Sequence, residues 1–118
     1  MGPSMRKAIH TPDEMSEDDV WQLGELFTAF LVARQNEFSQ YKQGLLGKED
    51  WVSRENIIRV TLGIEWAQHW WRTFGRDGFN TEFVELVDRI IDATDYDFAG
   101  KMKALEKWGD EGLGEAGE

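Results

Sequence analysis

Glu65 and His69 stand four residues apart in the stretch EWAQHWWRTFG. On a helix that spacing puts a carboxylate and an imidazole on one face, where they could share a proton or a metal ion. Helical carboxylate centres, however, use several Glu residues together with Glu-x-x-His on two helices, and this chain has no Glu-x-x-His. A second acidic set, Glu82, Glu85 and Asp88, has a three-residue spacing like that of the magnesium helices of some nucleotide pyrophosphohydrolases. Such a site needs a second acidic helix facing the first. The first long helix carries just Glu25 and Glu37 beyond its first turn, and the helix after it has its acids mixed with bases, so a solvated helix face is the expected role. The remaining histidine, His10, falls in a stretch where spacing does not place it. No metal or cofactor is therefore expected.

The other chemically suggestive feature is aromatic. Three of the six tryptophans, Trp66, Trp70 and Trp71, lie within six residues, with Phe74 close behind. Trp66, Trp70 and Phe74 share a slowly drifting helix face, and Trp71 is turned about 100° from Trp70. Such a ring surface could form a pocket for a cation or a flat ligand, with Trp66, His69, Trp70 and Trp71 as its residues. It could equally fill the middle of a small core, and that is the expectation. Nucleophile elbows, phosphate-cradling glycine loops and histidine-activated serines are missing, and cysteine is absent, which removes thiolate and disulfide chemistry. The reading is of a protein that is not an enzyme.

The elements that position these residues follow from periodicity. At 118 residues the chain has the size of one domain. A long helix is expected to start at Ser16, with Asp19 completing a capping box and Glu17 and Asp18 facing the positive helix end. Val20, Leu23, Phe27, Phe30, Leu31, Phe38, Tyr41 and Leu45 form its apolar stripe, interrupted only at Arg34. Gly24 is a mild cost within it, and Gly44 suits a left-handed cap. A second helix is read from Lys48 to Leu62, with Trp51, Val52, Ile58 and Leu62 inward and Glu55 and Arg59 outward. Gly63 breaks the chain before the tryptophan-rich helix, Ile64 to Phe74, and GRDG supplies a turn. Asn80 caps a last helix with Phe83, Leu86, Val87, Ile90 and Ile91 on its apolar face. The fold class is all-α, a bundle of four main helices with a short fifth helix over Phe98–Trp108. Residues 1–15 read as a disordered arm whose first four residues resemble a cloning remnant, residues 16–95 as the bundle, and 96–118 as a short amphipathic helix and an acidic, glycine-rich tail.

Charge sharpens the list of partners. The net charge is −10. Residues 11–25 hold six acids and no base, residues 26–94 ten acids and eight bases, and residues 95–118 seven acids and three lysines. Direct binding to a phosphate backbone is disfavoured, because that needs clustered Lys and Arg. No apolar run reaches the ~18–20 residues of a membrane helix, so no membrane segment is read in this chain. The cytoplasm is the expected compartment, with membrane association if the natural protein has an upstream segment.

As an ordered string, NEFSQYKQGLLGKEDW, then WW, then FNTEFVELVD resembles the C-terminal helical region of a widespread family of uncharacterised bacterial proteins, which often carry an N-terminal membrane segment. Tyr41, Gln43, Gly44, Leu45, Leu46 and Trp51 match its first element, Trp70 and Trp71 its second, and Phe79, Glu82, Phe83 and Val87 its third. Gly47 replaces the family's capping Asp, and Asn80-Thr81 its Ser-Pro; both exchanges keep a residue that an N-cap accepts. The resemblance spans roughly residues 17 to 92 and implies a helical fold with no transferable activity.

Several apolar residues of the long helix lie off its main stripe: Trp21, Leu26, Ala29, Val32 and Ala33. One bundle layer does not cover them all, and uncovered apolar surface marks partner sites. The expected function is a protein–protein interaction module, a homodimer formed along Trp21, Leu26, Ala29 and Ala33 being the first form of it. The alternative is a small-ligand binder or sensor using the tryptophan-rich helix. A weaker alternative is an acidic inhibitor that occupies the nucleic-acid-binding surface of another protein.

Overall fold

The structure, a computed structural model, describes residues 2–93 and 103–107. Its spine is α2, Glu17–Lys42. The helix starts where the capping box demands: Ser16 Oγ accepts from Asp19 N, and Asp19 Oδ2 accepts from Ser16 N. It ends in a Schellman arrangement, with Leu45 N donating to Gln40 O, Gly44 N donating to Tyr41 O, and Gly44 at φ 80°. The stripe therefore stops at Tyr41. Leu45, expected inside, lies beyond the helix end and is exposed.

The chain then turns back along α2 as α3, Lys48–Thr61. Tyr41 stacks on Trp51 at 5.7 Å and Phe38 packs on it at 5.0 Å, while Glu37 of α2 pairs with Arg54 of α3. Glu37 also pairs with Arg34, whose guanidinium lies over the Phe30 ring; a half-buried ion network thus explains the charge in the stripe. Trp51, Ile58 and Leu62 form the seam at helical spacing. Val52, expected inward, is turned 100° from Trp51 and is exposed, while Glu55, placed outside, follows Trp51 by four residues and is half-buried.

Gly63 separates α3 from α4, Glu65–Thr73, which is followed by a 3-10 turn over Gly75–Gly78 and by α5, Thr81–Ala93. Asn80 begins α5 as expected: its Oδ1 accepts from Phe83 N, and its own N–H donates to Gln35 Oε1 of α2. Phe83, Leu86, Val87, Ile90 and Ile91 are all buried. The described residues are helical apart from turns and connections, with no strand among them.

The expected arm over residues 1–15 is corrected. Pro3–His10 forms α1, with Pro3 in the first turn, where its fixed φ and missing N–H are tolerated. Ala8 and Ile9 are buried, and the helix packs on both α2 and α4. Its polar side is tied to the start of α2 at one carboxylate: Asp19 Oδ1 accepts from Ser4 Oγ at 2.9 Å and Oδ2 from Lys7 Nζ at 3.0 Å. The bundle therefore has a fifth main helix at its N-terminal end. Of the helix expected over Phe98–Trp108, residues 103–107 are helical, and Glu106 Oε2 lies 2.9 Å from His10 Nε2 at the end of α1. The rest of that helix and the acidic tail lie outside the described residues.

Candidate binding groove

The adjacent tryptophans of α4 point to opposite jobs. Trp71 is fully buried, and its Nε1 donates to Asp88 Oδ1 of α5 at 2.8 Å. Its ring continues a line of aromatic contacts through Phe79 (5.6 Å), Phe83, Phe38 and Trp51 to Tyr41. The three sequence blocks around Tyr41–Trp51, Trp70–Trp71 and Phe79–Phe83 thus meet in one core. Trp66 is half-buried against Phe27 at 6.0 Å, and Phe27 lies 5.7 Å from Trp70.

Trp70 sits at the edge of that core, between two glycines. A Cβ on Gly24 of α2 would stand 3.0 Å from Trp70 Nε1, and one on Gly75 would stand 2.7 Å from its Cη2 and Cζ3. The missing side chains let α2 and the turn after α4 close on the two sides of the indole. Gly24 is therefore a site of close approach in the fold. Outside Trp70 an apolar groove of about 570 Å³ runs along α2, within the size range of ligand sites. Val20, Trp21, Gly24 and Ala29 form one wall, Phe74, Gly75 and Phe79 the other, and Trp70 the floor. Trp21 and Phe74 are each 66% exposed at its mouth. Its polar groups are the Glu25 carboxylate, the Thr28 hydroxyl, which already donates to Gly24 O, and the indole N–H of Trp70, which has no hydrogen-bond partner among the described residues.

The two sets of residues singled out in the sequence divide differently in space. Of Trp66, His69, Trp70 and Trp71, only Trp70 lines the groove. His69 is exposed, 3.7 Å from Glu65, and Trp71 is sealed in the core, so the four do not enclose a common pocket. Of Trp21, Leu26, Ala29 and Ala33, all exposed, Trp21 and Ala29 line the groove. Leu26 and Ala33 lie 140° and 120° around the helix from Trp21, on another flank. Two of the three acids of the α5 triplet are committed to structure: Asp88 accepts from Trp71 and from Arg76 Nη2 at 2.8 Å, and Glu82 pairs with Lys42, while Glu85 is exposed. No group of three or more His, Cys, Asp or Glu side chains close enough to hold a metal ion occurs among the described residues. No described helix is long and apolar enough to cross a membrane.

Phe74, read from the sequence only as part of the ring face of the tryptophan-rich helix, Gly24, read as a mild helix cost, and Gly75, read as part of a turn, were not among the expected site residues. Phe74 has the helical spacing of Trp66 and Trp70, but α4 ends one residue before it, and the change of backbone direction carries its ring out to solvent. The signal for Gly24 was its presence inside a helix, where glycine is tolerated poorly, whereas Gly75 stands in a turn and carried no such signal. The partner that explains them, Trp70, is remote in sequence from Gly24.

The chain was compared with family models, curated proteins and solved structures, and none of them matches it.

Proposed function

We propose that the protein is a non-enzymatic interaction module that holds an apolar segment of a partner protein in the groove between α2 and the α4–turn elbow. The observation that carries this reading is the mouth of the groove. Two large rings, Trp21 and Phe74, stay in water on either side of an apolar floor, and exposed aromatic rings around a preformed apolar cleft are the composition of interaction hot spots. The absence of cysteine fits work in the cytoplasm. A different chain suits the groove better than a second copy, because acids crowd this end of α2 and the chain carries −10 net charge.

Selection from a randomised peptide library tests the location. Selected peptides are expected to bind Trp21→Ser and Phe74→Ser proteins at least tenfold more weakly than the parent, and a Leu45→Ser protein equally well. All three variants should keep the parent's helical circular dichroism. Equal binding to Trp21→Ser, Phe74→Ser and parent would place the interaction elsewhere.

A further inference from the structure

Resting on the reading of the groove as a docking site, the geometry points to its occupant: a basic amphipathic helix of a partner protein, about two and a half turns of it lying along α2. Three observations converge on this chemistry.

The first is dimension and backbone. The α2 wall runs from Val20 and Trp21 to Ala29, and the nine steps from Val20 to Ala29 at 1.5 Å rise give about 13.5 Å, the length of some two and a half helical turns. The described residues are helical and offer no strand edge to the groove. An extended peptide pressed there would leave its N–H and C=O groups facing apolar rings, whereas a helix satisfies its own.

The second is charge. Glu25 lines the groove, and Glu17 and Asp18 lie one turn before Val20 and Trp21 on the same side of α2. All three are exposed, and none has an ion-pair partner among the described residues. This contrasts with Asp19 next to them, which is held by Lys7. Three unpaired carboxylates beside an apolar cleft repel another copy of this acidic chain. They also repel its own residues 95–118, which carry seven acids against three lysines. Lys or Arg flanking the apolar face of an incoming helix would be complementary.

The third is the Trp70 indole. The Trp70 Nε1–H has no hydrogen-bond partner among the described residues, and it faces the side where Gly24 lacks a Cβ and itself lines the groove. That donor is open to an acceptor on an incoming chain. An oxygen-bearing side chain among the apolar residues of the incoming helix would satisfy it.

Three labelled 14-residue peptides with the same Leu face test the assignment: one flanked by Lys, one by Gln and one by Glu. Fluorescence anisotropy is read against the full chain, Trp21→Ser, and a Glu17→Gln/Asp18→Asn/Glu25→Gln variant. The parent is expected to bind in the order Lys, Gln, Glu, with the Lys peptide favoured over Gln by about tenfold. That preference should vanish in the triple variant and at 1 M salt, where the screening length is about 3 Å. Equal, Trp21-dependent binding of all three would overturn the basic partner and leave the groove as a docking site. Failure of all three, while library-selected peptides still need Trp21, would overturn the helical basic occupant alone. A parent that forms dimers dispersed by Trp21→Ser would assign the groove to a second copy and overturn the proposal. Lys-peptide binding that appears only when Trp108→Ser alters the tail would do the same in favour of the chain's own C-terminus.

Discussion

Trp70 and Trp71 are chemically identical neighbours whose environments differ in almost every respect. Trp71 is enclosed by the line of rings from Tyr41 to Phe79, and its indole donates to Asp88. Trp70 has one side against Phe27, two glycines where side chains would otherwise touch it, and an indole N–H without a partner among the described residues. A turn of 100° along α4 separates a residue that closes the core from one that floors a surface cleft. Ring density in the sequence therefore marks two things at once, and the hydrogen-bond state of each indole tells them apart.

That contrast can be broken at several points. Trp71→Ala should cost about 3–5 kcal/mol, read as a loss of unfolding free energy in urea, because it empties a fully buried site and takes the indole donor from Asp88 Oδ1. Next comes Gly75→Ala, expected to cost about 1–3 kcal/mol by overpacking against the Trp70 six-membered ring. Gly78→Ala, three residues on with nothing within 4 Å of its added Cβ, should stay within about 0.5 kcal/mol. Equal behaviour of the two glycine variants would contradict the close approach to Trp70.

The end of the molecule that docks α1 responds to acid. Ser16→Ala removes the cap of α2 and should cost about 1 kcal/mol. The backbone N–H of Ser16, followed by Lys7 and Ser4, holds the Asp19 carboxyl well below the usual carboxylate range. A group depressed in the folded state contributes stability above its unfolded value of about 4, and that contribution fades as pH falls below it. A urea midpoint measured from pH 6 down to pH 3 should thus drop less for Asp19→Asn than for the parent. An identical slope would remove Asp19 as the fastening of α1. The smallest effect on stability is expected at the mouth of the groove: Trp21→Ser should change the midpoint by no more than about 0.5 kcal/mol while abolishing peptide binding.

Much of this architecture was legible before any coordinates, and for local reasons. Ser16 with Asp19, Gly44 and Asn80 are short-range signals that act within one turn, so each reads directly from residue type and spacing. The line Phe83, Leu86, Val87, Ile90, Ile91 fixes the buried face of α5 in the same way. The helix α1 escaped because eight residues between two prolines hold little periodicity of their own. What stabilises it is the tertiary docking of Ala8 and Ile9 and the capture of Ser4 and Lys7 by Asp19. The groove was half legible. Trp21 and Ala29 stand out as apolar residues off the main stripe, but Leu26 and Ala33 share that property and lie on another flank. The opposite wall depends on where α4 ends relative to Phe74, a matter of a single residue that periodicity does not resolve.

The most direct test of the groove as the working surface is an indole 1H–15N spectrum of the full chain, recorded without and with a library-selected peptide and assigned through single Trp→Phe variants. The Trp21 and Trp70 signals are expected to shift on binding, while those of Trp71 and Trp51 stay in place. Shifts at Trp71 or Trp51 with Trp21 and Trp70 unchanged would contradict the groove as that surface.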